Sequence, residues 1–177
     1  KLQCERLSGS KEKENSQMKS KWIHVVFIVL IITVSVLVFT KTIRTGFVGD
    51  DGELISDRGD ILQNWNNLKS VWDNPFPAVT YEPIPFYRPV ITAVNFINYH
   101  WYKNVAHRYH QVNVGFHTIN AVLLYLLIFI LFKDELLALL TAIFFAAHPI
   151  HTNSVVWISG RTDVIAGFFL LLTAILF

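Results

Sequence analysis

The 177-residue chain is 53% hydrophobic and 14% aromatic but only 16% charged. That is more apolar than an ordinary soluble domain, so a membrane protein is the first expectation. Its formal charge of +2 comes from scattered basic residues, without the continuous electropositive face that nucleic acid requires. The single cysteine, Cys4, excludes an intrachain disulfide and says nothing about redox compartment.

Residues 1–21 set Lys1, Arg6, Lys11, Lys13, Lys19 and Lys21 against Glu5, Glu12 and Glu14, with little to pack, and read as a flexible tail. Trp22 to Thr40 (WIHVVFIVLIITVSVLVFT) follows without a formal charge. At about 1.5 Å per residue this first predicted helix spans roughly the 30 Å hydrocarbon core. The run is too long for a signal peptide, and no small-residue cleavage site follows in residues 41–48. The basic excess before it places the tail in the cytoplasm, although Lys41 and Arg44 reduce the contrast. A start at Lys1 and an end inside the apolar run Val164 to Phe177 lead us to expect a piece of a longer protein with further helices.

Residues 41–111 are then expected to face outward, in a segment long enough to be functional or to carry its own elements. It opens on an acidic cluster, Asp50, Asp51, Glu53, Asp57 and Asp60, and continues through Pro75, Pro77, Pro83, Pro85 and Pro89, which exclude regular helix or central strand there. Val90, Val94, Ile97 and Trp101 recur at helical spacing, predicting a helix that lies along the membrane interface. Residues 112–132 form the second predicted span. The short turn Lys133, Asp134, Glu135 requires the third, residues 136–150, to run antiparallel beside it. At about 15 residues that third span is short for a crossing unless His148 and Pro149 sit at the interface or in a cavity. A polar loop, residues 151–163, leads into a fourth span, residues 164–177. By alternation both long loops open on one outer side. The predicted fold class is an all-α integral-membrane, multi-pass helical bundle with a long outer loop containing interfacial helices.

Ionisable groups near a membrane are expensive and mark function more often than lipid contact. Asp50 and Asp51 follow the first helix closely, and Arg161 and Asp163 precede the fourth on the same side. A carboxylate base and an arginine suit transfer of a group from a lipid phosphate, because the base takes an acceptor proton and the phosphate leaving group needs positive charge. The same acidic pair, flanked by Gly49 and Gly52, also suits a plain turn. His148 and His151 have a metal-ligand spacing with no third ligand fixed locally, so they serve equally as interfacial hydrogen-bonders, and a divalent metal is left undetermined. His110, Asn113 and His117 share one helix face and suit helix-to-helix hydrogen bonds. Trp22, Trp72, Trp101, Tyr102 and Trp157 suit interfacial anchors.

The run HPIHTNSVVWISGRTDVIAGFF, His148 to Phe169, resembles the HPxHTEAVxWIxGRADLLAxLF segment of the transmembrane O-mannosyltransferases that carry tetratricopeptide repeats, multi-pass enzymes of the GT-C type. FVGDD, ending at Asp50 and Asp51, is similar to that family's FVWDD. YRPVITAVNFINY and HRYHQVNVGFHTINAVLLYLL are similar to its YRPL stretch and the start of its second span. The resemblance covers Phe47 to Phe177 and implies an amino-terminal fragment of a GT-C-like module, with Asp50 or Asp51 as catalytic base. It further implies that Arg161 contacts the lipid phosphate, with His148 and His151 lining the site and Asp163, Arg88 and His117 among the substrate-binding residues. Gly49 in place of the family's aromatic, and Asn153 in place of its usual Glu, bear on acceptor or sugar preference.

The expected function is transfer of a hexose, mannose by preference, from a polyprenyl-phosphate sugar to a hydroxyl of a protein or glycan. This transfer is expected at the outer or lumenal face of a bacterial cytoplasmic or endoplasmic-reticulum membrane. The expected partners are therefore the lipid-linked donor, the acceptor and membrane lipid, without nucleic acid, and no cofactor is assigned beyond the donor. The alternative is a non-catalytic polytopic scaffold presenting a repeat domain. A transporter is a third, weaker reading, since no inverted repeat is visible.

Overall fold

The computed structural model describes residues 21–70 and 88–177, and every regular element among them is helical. The tail with Cys4, together with Trp72 and the prolines Pro75, Pro77, Pro83 and Pro85, lies outside the described residues. Two helices are long and apolar enough to cross a membrane, α1 (Lys21–Val38) and α5 (Ala106–Phe132). Helix α1 buries only a narrow stripe, Ile31 and Ser35, continued just past its end by Phe39. Trp22, Val26 and Leu37 stay exposed. A helix that is apolar all round yet mostly uncovered fits lipid and not water. It runs antiparallel to α5: near its start His24 lies beside Tyr125 and Glu135, and at its other end Ser35 Oγ is 2.8 Å from Thr118 Oγ1.

Helix α5 begins at Ala106, ahead of the expected Val112, because its first turns are held by the protein on their inner side. Tyr109 donates its hydroxyl to the Lys103 carbonyl at 2.8 Å, and both Tyr109 and His110 are fully buried. The helix closes on Lys133 in the left-handed region (φ 57°). Asp134 then caps α6 (Glu135–Ala147), its carboxylate accepting from the backbone N–H of Leu136 and Leu137 at 2.9 and 3.0 Å. So short a turn forces an antiparallel pair. Ala138, Ala142 and Ala146, one helical stripe, are all fully buried against α5, where small side chains let the two backbones approach.

Helix α6 stops at Ala147, short of the expected Ile150. Pro149 supplies no N–H and pushes His148 into extended backbone (φ −68°, ψ 129°), which ends the helix. The chain bends there by 45° into a 3-10 turn (Pro149–His151) and α7 (Thr152–Val156). The bent pair counts as a third crossing if it is one broken span. Helix α8 (Arg161–Leu176) starts ahead of the expected Val164, so Arg161 and Asp163 belong to its first turn and not to a loop. It lies against α5, with Asn120 Nδ2 donating to the Val164 carbonyl at 2.7 Å.

The end of the bundle opposite the Lys133–Asp134 turn carries the connecting segments. After α1 come a 3-10 turn (Thr42–Arg44), a π-helical turn (Gly52–Ser56), α2 (Gly59–Leu62) and α3 (Asn66–Ser70). Helix α4 (Pro89–Tyr102) turns Asn95, Phe96, Asn98 and Tyr99 inward and leaves Val90, Ile97 and Trp101 exposed. Its protein-facing side is thus partly polar, and of the predicted stripe Val94 packs inward while Val90, Ile97 and Trp101 stay exposed. Ile55 and Leu62 pack with Phe96, Tyr99, Tyr109 and Ile158 into a small core that joins these segments to α4, α5 and the turn before α8.

Candidate active site

The acidic pair sits where the segment after α1 meets the turn between α7 and α8. Gly49 has φ +62°, a conformation other residues adopt only under strain, and it turns the two following carboxylates into different surroundings. Asp51 is completely buried. Its Oδ1 accepts from the Ser159 N–H at 2.9 Å and the Ser159 hydroxyl at 2.8 Å, and its Oδ2 accepts from the Val48 N–H at 3.2 Å. Asp50 is exposed, and no hydrogen bond reaches its carboxylate among the described residues. Adjacent residues of one type therefore do different work: Asp51 ties two distant segments together, and Asp50 faces outward.

Arg161 is 1% exposed. Its Nη1 donates to Asn95 Oδ1 at 2.8 Å, its Nε to the Ile158 carbonyl at 3.1 Å, and the guanidinium lies 5.4 Å from the Tyr109 ring centre. Asp51 is within electrostatic reach, although no carboxylate lies within 4.0 Å of the guanidinium among the described residues. The arginine thereby binds α4, α5 and the turn before α8 at one point, with its charge enclosed by protein. The resemblance sets Arg161 against a lipid phosphate; the partners observed here are Asn95 and the Ile158 carbonyl, and its Nη2 has no hydrogen-bond partner among the described residues.

The remaining expected residues form two groups. Asp163 is exposed and accepts from the Ser154 hydroxyl at 2.7 Å, while one helix face away Arg88 Nη1 reaches Thr162 Oγ1 at 3.5 Å. The histidines are drawn inward. His117 is fully buried, its Nε2 3.2 Å from the Ala146 carbonyl and its ring stacked on Phe145. His151 lies 5.2 Å from His117 and 6.3 Å from His148, ring centre to ring centre. Among the described residues no three His, Cys, Asp or Glu side chains converge on a metal position. His110 bonds the first segment through Thr45 Oγ1 at 3.0 Å, and Asn113 Nδ2 donates to the carbonyls of Val155 and Trp157.

Sequence reading passed over Ser159, Asn95, Tyr109 and Arg58. Ser159 and Asn95 have partners dozens of residues away, and Tyr109, whose hydroxyl bonds Lys103 locally, meets Arg161 only through the fold. Arg58 sits in the acidic cluster, yet it is 1% exposed, and burial lowers its pKa against the opposing pull of Glu53. Gly160, in the Gly-Arg of the motif, owes its place to packing. A Cβ there would stand 2.7 Å from the Asn153 carbonyl oxygen and 3.2 Å from Ser154 Cα, both main-chain atoms. Gly160→Ala is expected to destabilise by about 1–3 kcal/mol through backbone displacement, read as a lower thermal midpoint in detergent.

Helices of this composition, with a buried strut beside an exposed carboxylate at one end, define an all-α membrane protein with a surface acidic site. The chain is a homologue of the transmembrane protein O-mannosyl-transferases, and the motif resemblance extends over most of its length. It is 30% identical over 147 residues, 81% of the chain, to Protein O-mannosyl-transferase TMTC3 of Mus musculus. It is 32% identical over 142 residues, 77% of the chain, to Protein O-mannosyl-transferase tmtc2 of Xenopus laevis. Protein O-mannosyl-transferase F38B6.6 of Caenorhabditis elegans is 27% identical over 161 residues, 84% of the chain. The chain spans only 16%, 17% and 22% of the length of these three relatives. No family model matches it, and no solved structure matches it.

Proposed function

We propose that the protein to which this chain belongs is an integral-membrane glycosyltransferase that moves a hexose, mannose by preference, from a polyprenyl-phosphate carrier to a protein hydroxyl. The acidic site faces the outer or lumenal side, and the amino terminus lies in the cytoplasm. The observation that carries the reading is the division of the acidic pair. A general base must reach its substrate, and only Asp50 is exposed, while Asp51 is fully engaged in holding the loop.

In the proposed step the acceptor oxygen attacks the anomeric carbon, the bond from that carbon to the phosphate oxygen breaks, and polyprenyl phosphate departs with the electron pair. Asp50 takes the acceptor proton. Asp51 and Ser159 position Asp50 by anchoring the chain immediately after it, and Arg161 positions the turn that carries Ser159. The relatives' names, protein O-mannosyl-transferase, agree with this chemistry.

The test is reconstitution of the full-length protein with radiolabelled polyprenyl-phosphate mannose and an acceptor peptide rich in Ser and Thr. Label is expected on the peptide, with equimolar release of polyprenyl phosphate. Retention of the donor without transfer, in a folded full-length protein tested over a broad panel of acceptors, would instead indicate the scaffold reading.

A further inference from the structure

We infer that the recess between the 3-10 turn after α1 and the start of α5 binds the phosphate of an anionic membrane phospholipid, with Arg44 and His107 as its contacts. Asp50 takes no part in its lining, and the inference does not rest on the transferase reading. The recess has a volume of about 630 Å³ and is lined by residues 43–46 on one side and 104–107 on the other. His110 fixes the two sides to each other, its Nε2 lying 3.0 Å from Thr45 Oγ1 and 3.2 Å from the Gly46 carbonyl. Thr45 in turn donates its hydroxyl to the Thr42 carbonyl at 2.7 Å, so the turn that carries Arg44 is held against α5 by the protein itself.

The charge around this recess is basic and uncompensated. Arg44 and His107 line it, and Lys41, Lys103 and Arg108 stand within one helical turn of them in the chain. All five are exposed, and none has a carboxylate within 4.0 Å among the described residues. No acidic residue lines the recess, since the acidic cluster begins beyond Gly46 at Asp50, and Asp51 is turned to Ser159. Lys103 and Arg108 lie over the Tyr99 and Tyr102 rings, whereas the Arg44 side chain has neither a ring contact nor a hydrogen bond among the described residues. Its guanidinium offers paired donors of the kind that phosphate oxygens accept, and the His107 ring offers an N–H in either protonation state.

Depth in the bilayer favours a lipid over a soluble anion. Helix α5 has 27 residues. At about 1.5 Å each it is roughly 40 Å long, against a hydrocarbon core of about 30 Å. Its last residues, Ile130, Leu131 and Phe132, are exposed and apolar and belong in the core, while its opening stretch reads AHRYHQ. The excess of roughly 10 Å therefore falls at the start of the helix, which puts His107 in the headgroup layer where phospholipid phosphates lie. Leu37 and Val38 are exposed at the end of α1, just before Lys41 and Arg44, and supply apolar surface for the acyl chains of the same lipid.

The experiment places the full-length protein in phosphatidylcholine nanodiscs containing a small fraction of phosphatidylglycerol, with retained lipid read by native mass spectrometry. Saturable retention of phosphatidylglycerol over phosphatidylcholine is expected. Arg44→Gln should lower it about fivefold, the usual contribution of one basic residue at a membrane surface, and adding His107→Gln should lower it further. Both side chains are exposed and hold no hydrogen bond among the described residues, so thermal midpoints should match wild type. Lys69→Gln, which removes an exposed cation outside the recess, should leave retention unchanged. An equal loss with Lys69→Gln would make retention a matter of total surface charge and overturn the assignment. Equal retention of phosphatidylcholine, or retention that survives the double substitution, would overturn it as well. Millimolar inorganic phosphate separates the two sources of the ligand and is expected to leave the bound lipid in place. Arg44-dependent displacement of phosphatidylglycerol by inorganic phosphate would assign the recess to a soluble anion instead.

Discussion

Asp50→Asn in the full-length protein is expected to lower hexose transfer by about two to four orders of magnitude, the usual contribution of a positioned general base. The amide preserves size and shape but cannot take the acceptor proton. Because Asp50 is exposed and its carboxylate holds no hydrogen bond among the described residues, the thermal midpoint should be unchanged. Asp51→Asn should behave differently. Its carboxylate accepts three hydrogen bonds, and an amide can keep the two from Ser159 only by turning its NH₂ toward the Val48 N–H. Two donors then face each other in a buried site, a loss of about 1–3 kcal/mol. Transfer should fall with stability for Asp51→Asn, and without it for Asp50→Asn. The reverse pattern, with Asp51→Asn stable but inactive and Asp50→Asn active, would exchange the two roles.

Arg161→Ala is expected to be the most destabilising single change, by about 3–5 kcal/mol, enough to prevent accumulation in the membrane. The truncation leaves Asn95 Oδ1 without its donor and the Ile158 carbonyl with only the backbone N–H of residue 161, opens a void against Tyr109 and removes a cation within electrostatic reach of buried Asp51. Arg161→Lys keeps the charge but cannot reach Asn95 and Ile158 together, so it should fall between, with a lowered midpoint and residual transfer. Fluorescence-detected size exclusion after graded heating would measure both. A role in substrate contact predicts the opposite: normal accumulation and midpoint, with a raised KM for the lipid donor. That outcome would return Arg161 to the phosphate and displace the structural role described above.

The elements legible in the sequence were those defined by composition over a long window. An uncharged run with a core-spanning length can be satisfied only as a helix in lipid, because helix alone pairs every backbone group within the segment. Helix α1 therefore needed no tertiary information, nor did the α5–α6 hairpin, where Lys133 and Asp134 leave no room for any other path. Boundaries were less legible. Helix α5 extends back to Ala106 because Tyr109 and His110 find partners in Lys103, Thr45 and Gly46, contacts made only once the chain has folded. Pro149 was visible as an interruption, but its effect, a 45° bend that carries His151 toward His117, depends on where α5 lies.

The candidate site divides in the same way. The sequence by itself determined a membrane protein of helices and a small set of ionisable residues near the ends of its spans, because lipid tolerates so few charges that those present stand out. It also carried the motifs that tie the chain to its homologues. It could not separate Asp50 from Asp51, or Arg88 from Arg161, since each pair is chemically identical until burial and partners are known. Only the tertiary structure assigned one carboxylate to Ser159 and one guanidinium to Asn95, and left the other of each exposed. The reason is that desolvation and hydrogen bonding are set by contacts distant in sequence, 108 residues for Asp51 with Ser159 and 66 for Arg161 with Asn95.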